Sequence, residues 1–459
     1  ADGRWTVKGY TYDKAGRKSQ VATGIVVTRD TVNPVANTPV VTSGTQGETG
    51  YYRSNVTVKI SGSDVTSPIK KMTYKISGTA KTAGKVAGQS VTANQVVNIG
   101  EVDISYNGTF VVEADGIWTV TAYAYDVSGR KSTVSGSLVF TRDTVKPVVT
   151  GFSAKSASET TATVSVTASD ELSGIGTTNS TYTYYIGTTS KATQKANTYT
   201  YTGLTKTTDF NTFKVTAKDK AGNTSEAMNP TSITYYLADR AAVGDYVAYD
   251  AGIWPDGQEY NSTWPRWYRQ PGANWKNWGM FDGFTAGTDK GLSVGSYRYQ
   301  AAFKGDTNGW RVLRKVGNGE SGIVHLISAG TPVVYYATED PSTVSQRLDD
   351  CCDKTFTNTE LATRSRSVSI SAYRDGYNDG TVIWGYRLSS SKLWFWYTNW
   401  NTDICCGYNN TYYDYDSENG DYTEPIGVRP VIYLKSGIKC SSSASESYLG
   451  QNCYSIYTP

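Results

Sequence analysis

The residues best suited to chemistry are six cysteines, which all lie in the last quarter of this 459-residue chain. They form two doublets, Cys351-Cys352 and Cys405-Cys406, and a pair, Cys440 and Cys453, that flanks a serine-rich loop. Zinc sites of four thiolates use C-x-x-C spacing, which this sequence lacks, and adjacent cysteines of an extended chain point apart. We therefore expect the doublets to cross-pair as disulfides and Cys440 to bond Cys453, in an oxidising extracellular compartment. A tetrathiolate metal site, vicinal disulfides and reduced cytosolic thiols are the alternatives.

A run of carboxylates near the C-terminal end could hold calcium, whose preferred ligands are hard oxygen atoms. The run contains Asp414, Asp416, Glu418, Asp421 and Glu424. It lacks the glycine and the final glutamate that an EF-hand loop needs at fixed positions. A solvated acidic surface is the commoner origin of such a pattern, so we expect no cofactor and keep calcium as the alternative.

Hydrolytic chemistry has weaker support in the sequence. A glycosidase needs two carboxylates that face each other across a sugar, and the spacing fixes no such pair here. The one histidine, His325, lies in the apolar stretch GIVHLIS without a serine or cysteine nucleophile motif beside it, and we interpret it as a packed strand residue. We expect no enzymatic activity, and a cell-surface glycan hydrolase is an alternative function.

Aromatic and small polar residues are concentrated between Trp384 and Pro430, in a composition typical of binding surfaces. Tyrosine and tryptophan give a large contact area at a low cost in side-chain entropy. Trp394 and Trp396 alternate at the strand period, so we assign them partly to the core. The predicted ligand-binding residues are aromatic, amide or acidic: Tyr397, Asn399, Trp400, Asn401, Tyr408, Asn409, Tyr412, Tyr413, Tyr415, Asp416 and Tyr422.

The elements that would carry this surface begin with an internal repeat. Residues 1–35 match residues 114–148 without a gap, and a divergent third copy covers residues 212–227. In each copy apolar and polar residues alternate at the strand period up to a glycine-containing turn, after which the first two copies continue into a second strand. Each copy is predicted to be the closing hairpin of a β-sandwich, with Trp5 and Trp118 in the core.

Each copy also has an aspartate directly before its turn, namely Asp13, Asp126 and Asp219. An aspartate in this position usually accepts hydrogen bonds from its own backbone. We interpret the three as turn residues, and calcium held between successive domains is the alternative.

The first two copies share the pattern Y-x-Y-D-x-x-G-R and resemble the closing strands of bacterial immunoglobulin-like and fibronectin-type-III-like domains. The resemblance covers the first half of the chain and implies domain edges where the TRDTV-x-P segments end. We expect the hairpin of a truncated domain at 1–35, an immunoglobulin-like domain at 36–149, and an immunoglobulin-like or fibronectin-III-like domain at 150–238. The unpaired edge of the first hairpin is a candidate for self-assembly.

The last predicted domain covers residues 239–459. Its pattern predicts a hairpin at 309–330, a late core strand at 427–438, and a helix near 342–348 or 360–366. In order along the chain it contains the motifs VGDYVAY, WRVL with GIVHLISAGTP, WGYRLSS and GVRPVIYLKSGI.

These motifs together resemble a domain of unknown function at the C-termini of secreted or surface proteins of gut Gram-positive bacteria and their phages. That family is similar to the C-type-lectin-like fold of formylglycine-generating-enzyme-like domains and of the variable proteins of diversity-generating retroelements. The resemblance implies that residues 384–388 and 427–434 are scaffold and that the segment between them is the recognition face. Residues 397–422 are rich in asparagine, tyrosine, aspartate, serine, cysteine and glycine, a set that mutation of the adenines of asparagine codons can produce. We therefore hypothesise that a retroelement diversifies this segment.

Charge and hydropathy exclude two classes of partner. Lysine and arginine number 44 against 41 aspartate and glutamate, so the sequence has no nucleic-acid footprint and no patch for an anionic membrane. No apolar run approaches the roughly 20 residues of a membrane-spanning helix, and we expect no direct membrane insertion.

The predicted fold class is mainly β, with tandem immunoglobulin-like β-sandwiches followed by a C-terminal C-type-lectin-like α+β domain. The predicted function is that of an adhesin or receptor-binding protein, extracellular and displayed on a cell surface or a phage particle. Its predicted partner is a host or bacterial surface protein or glycan, bound by aromatic stacking and hydrogen bonds. The alternatives are a surface glycan hydrolase and a structural filament subunit.

Overall fold

The computed structural model describes backbone and side chains for residues 1–249, 310–327, 352–353, 357–366, 431–444 and 452–459. Elsewhere it describes the backbone of the strand residues named below. The described chain forms two units. The first contains residues 1–152, 165–199 and 212–231, and the second contains residues 153–164, 200–211 and 232–459.

The N-terminal copy of the repeat is a two-stranded antiparallel ribbon of Gly3–Val7 and Ile25–Arg29. The side chain of Trp5 is 54% exposed. The prediction that Trp5 lies in a core is therefore wrong in this structure, because a ribbon of two strands has no second sheet to cover the ring.

The second repeat is a β-sandwich of two five-stranded sheets. The first sheet has the strand order Gln89–Val91, Gly84–Val86, Thr109–Val112, Val56–Lys59 and Val40–Ser43. The second sheet has the order Val96–Ile104, Ile69–Ala80, Gly116–Asp126, Leu138–Arg142 and Tyr51–Tyr52. A short antiparallel pair consists of Val35–Ala36 and Gly62–Ser63.

The core of this sandwich follows the period-two pattern that the sequence predicts. Along Gly116–Asp126 every second residue is buried. Trp118 is completely buried, as predicted, and its indole N–H donates to the carbonyl of Ala114 at 3.2 Å. Tyr74 stacks on Phe110 with 4.3 Å between ring centroids.

The first unit also contains a three-stranded antiparallel sheet from the third repeat. Its strand order is Thr189–Gln194, Tyr182–Ile186 and Phe213–Ala217, and the 3-10 turn Phe210–Thr212 precedes the last strand. Tyr184 is completely buried and stacks on Tyr199 at 5.1 Å between centroids.

A long mixed sheet contains most of the strands of the second unit. Its strand order is Thr198–Tyr201, Thr161–Ser169, Val148–Ser158, Ser232–Tyr236, Lys439–Cys440, Gln451–Tyr457, Tyr246–Ala248, Trp310–Val316, Ile323–Ser328, Pro430–Leu434 and Ala362–Ser367. Glu446–Tyr448 pairs with Gln451–Tyr457. A four-residue helix, Leu237–Arg240, follows Ser232–Tyr236, and the 3-10 turn Gly319–Ser321 joins Trp310–Val316 to Ile323–Ser328.

A second sheet of this unit is described by its backbone. Its strand order is Trp267–Tyr268, Val333–Tyr335, Ile426–Val428, Phe395–Thr398, Ile404–Tyr408 and Thr411–Asp414.

The mainly β fold class is confirmed, and so are the C-terminal hairpin and the late core strand. The helix predicted at 360–366 is wrong, because Ala362–Ser367 is a strand that pairs with Pro430–Leu434. The alternative helix at 342–348 lies outside the described residues. The domain boundaries and the lectin-like class of the last domain stay predictions. No helix among the described residues is long and apolar enough to span a bilayer.

Candidate functional site

Two clusters of three aspartates occupy equivalent places in the tandem repeats. In each cluster, one carboxylate oxygen from every member lies within 4.8 Å of the others. The first consists of Asp30, Asp64 and Asp126, and the second of Asp143, Asp170 and Asp219.

The first cluster joins the N-terminal hairpin to the second repeat. Asp30 directly follows the last strand of the hairpin, whereas Asp64 and Asp126 belong to a loop and a strand end of the second repeat. The hydroxyl of Ser67 donates to Asp30, and its backbone N–H donates to Asp64 at 2.7 Å. The backbone N–H of Arg130 donates to Asp126 at 2.9 Å. The cluster therefore combines turn hydrogen bonds with a contact between repeats.

Two oxygen atoms of the first cluster are buried and accept no hydrogen bond, namely Asp64 Oδ2 and Asp126 Oδ2. Asp126 is completely buried. Within residues 1–249, no lysine, arginine or histidine nitrogen lies at ion-pair distance from these carboxylates. The guanidinium of Arg130 donates instead to the backbone carbonyl of Asp30 at 3.0 Å. Buried carboxylate oxygen without a partner is costly in free energy.

The second cluster repeats this arrangement between the second and third repeats. Asp143 follows Leu138–Arg142, and the backbone N–H of Ser173 donates to both Asp143, at 3.0 Å, and Asp170, at 2.9 Å. The backbone N–H of Asn223 donates to Asp219 at 2.8 Å. The side chain of Asn223 donates to the carbonyl of Asp143 at 2.9 Å, the place that Arg130 takes in the first cluster.

Burial and mutual repulsion make negative charge unfavourable in the second cluster. Burial raises the pKa of Asp219 to about 6, and the nearby carboxylate of Asp143 acts in the same direction. The pKa of Asp143 is also raised, first by burial and further by the charge of Asp170. Three carboxylates this close are stable together only when protons or a cation offset their charge.

The interpretation of Asp126 and Asp219 as turn residues agrees with their backbone hydrogen bonds, but it missed their partners in the clusters. The signal lay in two further repeated segments, TRDTV and S-D-x-x-S, the latter at 63–67 and 169–173. Asp13 is exposed and accepts hydrogen bonds from the backbone of Ala15 and from Arg17.

In the second unit, a buried polar network surrounds the helix Leu237–Arg240. Asp239 accepts the hydroxyl of Ser156 at 2.6 Å and the backbone N–H of Gly319 at 2.9 Å. Arg240 lies over the ring of Tyr235 at 3.9 Å and donates to backbone carbonyls near residue 208. Lys315 donates to Glu159 at 2.5 Å and to the carbonyls of Ala238 and Ala241. These hydrogen bonds connect strands of the third repeat to strands of the C-terminal region.

Four of the predicted ligand-binding residues fall on strands described by their backbone. Tyr397 pairs with Cys405, Tyr408 with Thr411, Tyr412 with Gly407 and Tyr413 with Cys406. The antiparallel register thus brings these four positions into one three-stranded meander. The others lie outside the described residues: Asn399, Trp400, Asn401, Asn409, Tyr415, Asp416 and Tyr422.

One of the four calcium candidates in the acidic run lies on a strand that the structure describes. Asp414 is the last residue of the strand Thr411–Asp414, whereas Asp416, Glu418 and Asp421 lie outside the described residues. Calcium at this acidic run stays the alternative to a solvated acidic surface.

The predicted Cys440–Cys453 disulfide is not formed in the structure. Cys440 pairs with Ile456, so Cys453 is three residues away on the paired strand and faces the opposite side of the sheet. Cys440 is a buried thiol, and burial raises its pKa to about 12. Cross-pairing of the doublets stays a prediction, because Cys351 and the side chains of Cys405 and Cys406 lie outside what the structure describes.

His325 packs on the strand, as the sequence indicates. Its ring centroid lies 4.4 Å from that of Tyr433. Burial lowers the pKa of His325 to about 4, and the charges of Arg314 and Arg364 add to the effect. The imidazole is therefore neutral at physiological pH.

No family model matches this sequence. Exoglucanase B of Cellulomonas fimi is 30% identical over 224 residues, which cover 44% of this chain and 20% of that protein. The chain thus spans one fifth of the length of this curated relative.

Similar solved structures include tandem modules of the fibronectin-III class. The fibronectin(III)-like modules of Clostridium thermocellum CbhA are 13% identical, with a TM-score of 0.24 over 44% of this chain and 96% of theirs. The chicken CNTN1 FN1-FN3 domains are 15% identical, with a TM-score of 0.19 over 48% of this chain and 75% of theirs. The two facing sheets of the second repeat belong to the same class of β-sandwich.

Proposed function

We propose that this chain is an adhesin or receptor-binding protein in which the β-sandwich repeats display a C-terminal ligand-binding domain. The observation that carries the proposal is a sheet shared by the third repeat and the C-terminal region. Tyr235 pairs with Cys440 and Tyr236 pairs with Lys439, so the sheet has no break where the repeats end. Backbone pairing of this kind transmits mechanical load better than a flexible linker does, which suits a displayed binding domain.

The buried network around Leu237–Arg240 supports the same function. Asp239 and Arg240 are 0% and 3% exposed, and residues from both sides of the junction hydrogen bond to them. Breaking the hydrogen bonds of buried charged groups is costly, so the junction resists bending. Rigid support lowers the entropy lost when a surface binds its ligand.

The proposed ligand-binding face is the segment 397–422, with two tyrosines of the meander as anchors. Strand register places Tyr397 and Tyr412 on one side of the meander and Tyr408 and Tyr413 on the other. Tyr397 and Tyr412 are the proposed anchors, because tyrosine is enriched among the residues that dominate binding energy. The lectin-like class of this domain and its diversification by a retroelement belong to the proposal. A template repeat and a reverse transcriptase gene beside this gene would support diversification, and their absence would contradict it.

The ligand class that we propose is a glycan or protein on a host or bacterial surface. Fibronectin-III-like modules are common in extracellular and adhesion proteins, and the relative from Cellulomonas fimi is named as an exoglucanase. Both support an extracellular location. The name of the Cellulomonas fimi relative also makes polysaccharides informative probes of binding.

Binding of the full chain to a glycan array and to bacterial cells tests this proposal. We expect the double variant Tyr397→Ala/Tyr412→Ala to lose at least about 90% of the binding, a change of about 1.4 kcal/mol. Tyr106→Ala, at an exposed tyrosine of the second repeat, is the matched control and should bind like the wild type. Equal binding by the wild type and the double variant would place the ligand elsewhere.

The same preparations separate adhesion from hydrolysis. Release of reducing ends from a bound polysaccharide, abolished by replacement of a single carboxylate, would indicate the hydrolase. Binding without product supports the adhesin.

A further inference from the structure

We propose that the two aspartate clusters are calcium sites that fasten consecutive repeats to one another. In each cluster the first aspartate, Asp30 or Asp143, directly follows the last strand of one repeat. The other two belong to the repeat that follows. An ion bound to all three therefore holds the connecting segment against a loop and a strand end of the next repeat.

The geometry of both clusters fits calcium. Calcium is bound by oxygen at roughly 2.4 Å, so ligands on opposite sides of the ion are about 4.8 Å apart. The three carboxylate oxygens of each cluster lie within 4.8 Å of one another and can therefore contact one ion. Magnesium requires oxygen at about 2.1 Å in near-ideal octahedral geometry, and three carboxylates from separate segments meet that demand less readily.

Buried oxygen atoms in the first cluster point independently to a cation. Asp126 is 0% exposed, and its Oδ2 accepts no hydrogen bond. Asp64 Oδ2 is also a buried atom that accepts no hydrogen bond. A charged oxygen that has left water and gained no donor is stable when it coordinates a metal. One calcium ion would give both atoms a partner.

The second cluster contains the same constellation in a different stretch of sequence. Asp143 lies 113 residues after Asp30, but the other equivalent pairs are closer in sequence, because the repeats differ in length. The three aspartates nevertheless meet again, and a side chain again donates to the carbonyl of the first one. Because two different segments of the chain bring three aspartates together in the same arrangement, we infer that both clusters bind the same kind of ligand.

The other described contacts at the second junction include hydrogen bonds and an ion pair of exposed groups, which leaves a role for the ion. Arg53 donates to the carbonyl of Gly222 at 2.6 Å, and Lys146 pairs with Glu226 at 2.6 Å with both side chains mostly exposed. Exposed ion pairs contribute little to stability. A calcium ion would supply the stronger attachment.

Calorimetric titration of the EDTA-treated full chain with CaCl2 at pH 7.5 tests the proposal. We expect about two calcium ions per chain in the wild type, and about one in Asp126→Asn and in Asp219→Asn. Asp13→Asn is the matched control, because Asp13 has the same place in the repeat motif without the other two aspartates, and it should still bind two. A wild type that binds no calcium would overturn the proposal.

Far-ultraviolet circular dichroism shows whether each variant is folded, and Asp64→Asn reports on the first site from a less buried position. Loss of one ion in both Asp64→Asn and Asp126→Asn supports that site. Two ions retained in a folded Asp64→Asn variant would overturn it.

The fastening role has its own measurement. Small-angle X-ray scattering of the wild type should show a broader distribution of interatomic distances in EDTA than in 5 mM CaCl2. An identical distribution would contradict fastening even if calcium binds. Neither result depends on the identity of the surface ligand, so this proposal and the adhesin can fail separately.

Discussion

The N-terminal hairpin and the closing hairpin of the second repeat are identical at 22 of 35 aligned positions, yet they differ in burial. Asp2 accepts hydrogen bonds from Arg29 at 3.1 Å and from Thr31 at 2.5 Å. The equivalent Asp115 accepts them from Arg142 at 2.5 Å and from Thr144 at 2.8 Å. The two hairpins therefore form equivalent hydrogen bonds between these residues.

The two hairpins differ in what surrounds them. Trp5 is 54% exposed, whereas Trp118 is completely buried. The strand Gly116–Asp126 pairs on both sides, with Leu138–Arg142 and with Ile69–Ala80, whereas Gly3–Val7 pairs with Ile25–Arg29 in a two-stranded sheet. The comparison shows that a hairpin can form its own hydrogen bonds but needs a facing sheet to become a core.

Truncating the tryptophans should give the largest difference between the hairpins. Trp118→Ala opens a cavity in the sandwich and should lower the free energy of unfolding of the second repeat by about 4 kcal/mol. Trp5→Ala should change it by less than about 0.5 kcal/mol, because the ring is exposed. Hydrogen exchange of the peptide 116–126 measures both. Equal loss of protection would show that the N-terminal hairpin supports the second repeat.

Removing the aspartates should give the next largest difference. Asp115 and Arg142 are 1% and 8% exposed, so Asp115→Ala leaves a buried guanidinium without its carboxylate and should cost about 3 kcal/mol. Asp2→Ala breaks the same bonds in a solvated hairpin and should have a much smaller effect. Hydrogen exchange of the peptide 116–126 measures both effects. A larger effect of Asp2→Ala than of Asp115→Ala would contradict the comparison.

The glycines that begin the two strands offer a third test. A Cβ atom at Gly116 would lie 2.4 Å from the carbonyl oxygen of Thr79, whereas at Gly3 the nearest atoms are in the Trp5 ring at 3.5 Å. The backbone φ angles are nearly equal, +159° and +157°, so any difference arises from the neighbouring strand. Gly116→Ala should destabilise the second repeat by about 2 kcal/mol more than Gly3→Ala, measured by urea unfolding. Equal effects would show that backbone strain dominates.

The smallest expected difference involves the lysines and depends on pH. Lys131 donates to Glu101 at 2.6 Å and holds the pKa of that carboxyl below its ordinary value, whereas the equivalent Lys18 lies over the ring of Tyr10. A lowered pKa stabilises the folded state above the ordinary value, about pH 4.3, and this contribution is lost as the pH falls through the folded-state pKa. Lys131→Met should therefore flatten the acid side of the Tm profile slightly. Lys18→Met should leave it unchanged, and a response to that variant would count against the comparison.

Strand periodicity and turn chemistry allowed much of the repeat fold to be predicted. The alternation in WTVTAYAYD gave the correct face of Trp118, and Asp126 accepts the backbone hydrogen bond expected of a residue before a turn. The same reasoning failed for residues 360–366, where pairing with Pro430–Leu434 outweighs the local helix propensity. It also failed for Cys440 and Cys453, whose register places them on opposite sides of the sheet.

The aspartate clusters were only half visible in the sequence. Asp126 and Asp219 stood out because each precedes a glycine turn, whereas Asp30 and Asp143 belong to the repeated segment TRDTV, which indicated a domain edge and not an aspartate cluster. Proximity in space follows from how successive repeats join, and no local pattern encodes that. The tyrosines of the proposed binding face were recognised by composition, whereas their grouping required the strand register.

By itself, the sequence determined the strand register, the turns and the hydrogen bonds within each hairpin, because these involve residues of one continuous repeat segment. Only the tertiary structure decided which tryptophan is buried, that Asp30, Asp64 and Asp126 meet, and that the C-terminal region continues the sheet of the third repeat. The physical reason is that burial, charge clustering and sheet continuation depend on groups from distant parts of the chain. Two hairpins with similar sequences therefore have the same strand register but differ in strand length and in their surroundings.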